Sequence, residues 1–131
     1  MMRMALALLL LTALPATAQT TMTADQFERY ATGKTLTYSQ AGEVFGTEQY
    51  LANRRVRWAF TGAECQDGIW YEAAGLICFV YDNEPTPQCW SFSEDASGLH
   101  ARFNDDPAGT ALSEVEQTST PLICAGPDVG A

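Results

Sequence analysis

The sequence predicts an all-β fold: an antiparallel meander of about eight short strands, wound into a closed or nearly closed small barrel, with one short N-terminal helix and two disulfides. Three observations predict it. Turn signals recur through the chain after Lys34, and the runs between them are rich in β-branched and aromatic residues. Four cysteines, an even set, follow an N-terminal segment that reads as an export leader.

The leader is "MMRMALALLLLTALPATAQ": a single positive charge at Arg3, an apolar run from Met4 to Leu11, then Pro15 and the small-residue triplet Ala16-Thr17-Ala18. That order is that of a secretory signal peptide, and the apolar run is too short to span a bilayer as a helix. The expected division is a signal peptide at residues 1–18, a single β-barrel-like domain at 19–124 and a flexible tail at 125–131, with the mature chain starting at Gln19. Removal of 18 residues from 131 leaves 113, enough for one domain with a modest core. The expected location is periplasmic or secreted, with no membrane association after cleavage.

The helix is read from "TADQFERYATG", where Thr23 is an N-cap, Gln26 closes a capping box and Gly33 is a stop. Phe27 and Tyr30 lie one turn apart and give it an apolar face that packs on, or plugs, something. Strands follow in "TLTYS", "VFGTEQY", "RRVRWAF", "IWYE", "LICFVY", "QCWSF", "LHARF" and "TALSEVEQ". In "RRVRWAF", Val56, Trp58 and Phe60 alternate with Arg55, Arg57 and Ala59, the pattern of a strand with one wet face. A tight hairpin with Ala52-Asn53 at its tip would set Tyr50 opposite Arg55 and Glu48 opposite Arg57, an exposed cross-strand ion pair that accounts for the arginine cluster.

Cys65, Cys78, Cys89 and Cys124 contain no C-x-x-C spacing, which weakens the redox and zinc readings in favour of two disulfides. If "LICFVYD" and "QCWSF" are neighbouring strands joined by "NEPTP", Cys78 faces Cys89, Ile77 faces Trp90 and Phe79 faces Gln88. Ile77, Phe79, Tyr81, Trp90 and Phe92 then share one side. The expected pairing is Cys78–Cys89 across the hairpin and Cys65–Cys124 pinning the C-terminal segment.

The "GIWYE" strand and the cysteine hairpin "LICFVYDNEPTPQCWSF", together with the leader, resemble a group of small uncharacterised exported proteins of alphaproteobacteria. That resemblance implies no activity. The strand count and Gly68-x-Trp70 also resemble lipocalin-like barrels, although in lipocalins the G-x-W tripeptide lies near the first strand.

Function classes narrow by charge and by missing chemistry. Sixteen Asp and Glu against seven Lys and Arg give a net charge of −9, and loss of Arg3 makes the mature chain −10. Such a chain repels nucleic acid and anionic membranes. His100 is the single histidine, on the outer side of its strand beside Arg102, and no nucleophile motif accompanies it, so the sequence predicts no enzyme. The acidic loops "SEDASG" and "NDDPAGT" lack the ligand spacing of a calcium loop and read as Asx turns, and neither metal nor cofactor is expected. The aromatic set remains. Trp58, Phe60, Trp70, Phe79, Tyr81, Trp90 and Phe103 would face inward and line the site of a small apolar ligand, in a cavity of about 300 Å³ or more if one is present. The alternative is an interaction module, such as an inhibitor of an exported hydrolase.

Overall fold

The computed structural model describes residues 13–14 and 20–124. The leader, but for two residues, the cleavage site before Gln19 and the tail expected at 125–131 lie outside these. Eight antiparallel strands, each hydrogen-bonded to the next in sequence and the last to the first, close a barrel: β1 Thr35–Gln40, β2 Glu43–Tyr50, β3 Arg55–Phe60, β4 Gln66–Ala73, β5 Leu76–Tyr81, β6 Glu84–Asp95, β7 Gly98–Phe103 and β8 Leu112–Thr118. Closure leaves no free edge among them.

Helix α1, Ala24–Ala31, carries the expected capping box: the Thr23 hydroxyl accepts from the Gln26 N–H and the Gln26 side chain accepts from the Thr23 N–H. It closes one end of the barrel. Phe27 is fully buried and meets Tyr50, Trp70 and Phe79 edge to face at 5.5, 5.1 and 6.4 Å, with Phe92 at 4.5 Å. Reciprocal backbone bonds fix its exit to β2, with Gly33 N–H donating to Tyr50 C=O and Tyr50 N–H to Lys34 C=O. Tyr30 stays outside the plug, where its hydroxyl donates to Glu114 at 2.7 Å.

Both disulfides pair as the sequence predicts, Cys78–Cys89 across β5 and β6 and Cys65–Cys124 between the β3–β4 loop and the segment after β8. The β5–β6 register is also the expected one, with Ile77 opposite Trp90, Cys78 opposite Cys89 and Phe79 opposite Gln88. "NEPTP" is not the connecting loop. β6 begins at Glu84, opposite Tyr81, and three residues of β6 oppose the single Val80 of β5. Pro85 and Pro87, which have no N–H to give the ladder, fall inside that bulge.

The β2–β3 connection departs from expectation in a way that reaches the interior. It is not a tight two-residue turn: Leu51 is followed by a single 3-10 turn, Ala52–Arg54, in which Asn53 and Arg54 have positive φ. Tyr50 consequently opposes Val56, Glu48 opposes Trp58, and Gln49 opposes Arg57. A one-residue difference in register exchanges the faces of a strand. Glu48 and Tyr50 therefore point into the barrel, and Arg57 pairs instead with Asp67 on β4 at 2.7 Å.

Candidate functional site

A cavity of about 70 Å³ runs inward from the end of the barrel opposite α1. Aromatic rings from β2 and β3 crowd its mouth. Phe60 is 44% exposed and packs edge to face on Trp58 at 5.3 Å and on Phe45 at 5.4 Å. Phe45 reaches this cluster because the β1–β2 register shifts between Tyr38 and Ser39, leaving it as the extra residue of a bulge that re-aims its ring. Gly46 makes room beside it: a Cβ there would collide with the Trp58 indole.

Of the aromatic residues singled out from sequence, Trp58, Phe60, Phe79, Tyr81 and Trp90 line this cavity. Trp70 and Phe103 do not. Trp70 belongs to the plugged end, under Phe27 and with the Arg54 guanidinium 4.4 Å from its ring centroid. Phe103 is 47% exposed at the rim and stacks edge to face on Trp90 at 5.1 Å. Phe79 and Phe92, in contact with Phe27, separate the cavity from the plug. At about 70 Å³ the space is well below the 300 Å³ or more that drug-sized ligands occupy.

The interior is also less apolar than the sequence predicts. Glu48 is 2% exposed and lines the cavity. One hydroxyl, that of Tyr81, donates to both its oxygens, at 3.0 and 3.3 Å. Beside them Tyr38 and Tyr50 share a hydrogen bond of 2.8 Å. Burial pushes the Glu48 carboxyl well above the usual carboxylate range, with the Tyr81 hydrogen bond acting in the other direction. Burial likewise pushes all three phenols up, so they stay neutral. A buried carboxylate without a cation is costly, and a neutral carboxyl is the state such a site favours. Glu48 and Tyr50 were not legible as part of a site, because their inward orientation depends on the β2–β3 register; of the three tyrosines only Tyr81 was expected to face inward. The spacing Gly46, Glu48, Tyr50, one small, one acidic and one aromatic residue on a single face, is the signal that was there to find.

On the outer surface His100 has three side-chain partners, one of them the Ser97 hydroxyl 3.2 Å from its Nε2. Its Nε2 is 2.9 Å from Asp95 and its Nδ1 3.1 Å from the Ser113 hydroxyl. Hydrogen bonds from Ser97 and then His100 hold the Asp95 carboxyl well below its usual range. An open groove alongside takes in His100, Asp95 and Arg102 but not Ser113. Arg102 is engaged in holding the β7–β8 loop through the carbonyls of Gly109 and Pro107. Asp95 and Asp106 cap local turns by accepting from the backbone of Ser97 and Ala108. Among the described residues no cluster of three His, Cys, Asp or Glu side chains is arranged to hold a metal ion.

No family model, no curated protein and no solved structure matches this chain.

Proposed function

We propose that the protein is an exported, non-enzymatic binding barrel that receives part of a small amphipathic molecule through its aromatic mouth. The observation that carries this reading is the cavity itself, plugged at one end by Phe27, rimmed by aromatic rings at the other and ending on a buried polar group. A filled core offers a ligand nothing to bury against, whereas rings at an open mouth gain roughly 25 cal/mol for each Å² of apolar surface covered. Export is supported by the leader pattern and by two disulfides, which persist in oxidising compartments. No described helix is long and apolar enough to cross a membrane.

Native purification, solvent extraction and mass spectrometry test the reading, together with titration of tryptophan fluorescence, since Trp58 and Trp90 both line the cavity. Saturable quenching by an amphipathic probe is expected. Absence of both a co-purifying molecule and saturable quenching would leave the exposed rings of Phe60 and Phe103 as a surface for a protein partner, the inhibitor-like alternative.

A further inference from the structure

We propose that the cavity selects organic cations: a ligand with a primary ammonium head and an apolar or aromatic tail, the head paired with Glu48 and the tail among the rings of the mouth. This rests on the binding reading above and specifies its ligand class. Three features of the interior point to it. The first is unused acceptor capacity. A carboxylate has about four lone-pair positions, and among the described residues Glu48 receives one hydroxyl, shared between its two oxygens. The second is the identity of the other lining groups. They are aromatic rings, phenol hydroxyls, the amides Gln66 and Gln88 and aliphatic side chains, with no Lys, Arg or His to attract an anion. The third is placement: Trp58 stands directly opposite Glu48 across the β2–β3 ladder, so a cation at the carboxylate lies against an indole, the ring that best attracts cations.

The cavity volume agrees with this division of the ligand. About 70 Å³ takes a small head but not a tail, and the tail has Phe45, Phe60 and Trp90 to cover. The net charge of −9 draws cations toward the molecule from solution. Binding also involves a proton. Burial pushes the Glu48 carboxyl up and favours its neutral form, and the ammonium ion already carries its charge at neutral pH. Pairing with the ammonium favours the ionised carboxyl, so binding of the amine is linked to loss of the Glu48 proton to solvent. Tyr38, Tyr50 and Tyr81 are the other titratable groups facing the site, and burial keeps them neutral.

Benzylamine and benzyl alcohol, near-isosteres differing in charge, separate the possibilities when titrated at neutral pH and about 0.15 M salt, which screens non-specific attraction to the acidic surface. The amine is expected to bind about tenfold tighter or better, the worth of one charged hydrogen bond of about 1.4 kcal/mol. Glu48→Gln should abolish that preference. Equal affinities for the two probes, or a preference that survives Glu48→Gln, would each overturn the inference. Equal affinities would leave the binding barrel standing, whereas failure of both probes to bind would remove that reading as well.

Discussion

Glu48 and Arg57 show how much turns on a single position of register. Sequence alternation alone makes them an exposed pair; the longer β2–β3 connection moves Glu48 to the inside and gives Arg57 to Asp67. Their substitutions should therefore differ. Arg57→Ala breaks a half-exposed ion pair and is expected to cost less than about 1 kcal/mol in urea melts. Tyr81→Phe removes the one donor of a buried carboxyl and should cost about 1–3 kcal/mol. The pH dependence follows from the direction of the Glu48 shift. Because its folded value is raised, its contribution is fully present below the ordinary carboxyl value of 4.5 and is lost as pH rises toward and through the raised value. Asp95 has the opposite sign, and its contribution is lost as pH falls. Subtracting the pH profile of Glu48→Gln from that of the wild type isolates the first effect. The difference should favour the wild type progressively less as pH rises, and a flat difference would mean that Glu48 is ionised in the folded protein.

At the scale of elements, the legible parts are those fixed by local chemistry. The capping box made α1 readable from Thr23 and Gln26, and alternating runs made all eight strands readable. Cys78 and Cys89 gave the β5–β6 register because a cross-strand disulfide permits few others. What was hidden depended on backbone geometry that side-chain pattern does not encode: the positive φ of Asn53 and Arg54, the Phe45 bulge, and the two prolines absorbed within β6. The plug follows the same division. Phe27 and Tyr30 announce an adhesive face, but only the closed barrel shows that Phe27 alone enters and Tyr30 remains outside with Glu114. Phe27→Ala should cost about 3–5 kcal/mol, as large-to-small changes among packed rings do, and should weaken the near-ultraviolet circular dichroism to which Trp70 contributes. Thr23→Ala, which removes only the cap, should cost about 1 kcal/mol. Equal costs for the two would show that α1 lies on the barrel rather than closing it.

For the whole molecule, the question is how a barrel with a hollowed, partly polar interior holds together. Backbone pairing runs round the entire circumference, but β7 and β8 share only two residue pairs, so that seam is the weakest. The C-terminal segment braces the molecule from outside. After β8 its residue Thr120 accepts from the Thr35 hydroxyl, Leu122 N–H donates to the Gln49 side chain, and Cys124 ends at Cys65 near the mouth. That disulfide closes a separation of 59 residues, against 11 for Cys78–Cys89. If disulfides act chiefly on the unfolded chain, the longer loop contributes about 4 kcal/mol and the shorter about 3. Replacing Cys65 and Cys124 together by serine should therefore lower the melting temperature more than replacing Cys78 and Cys89, each kcal/mol being worth roughly 4–8 °C for a domain of this size. The hairpin variant also loses a buried sulfur, since Cys78 is almost fully enclosed, and packing loss adds to its entropic term. Melts of the two variants thus weigh loop length against burial. The reverse order, with the hairpin variant melting lower, would assign the larger role to packing at Cys78 and leave the outer strap a minor brace.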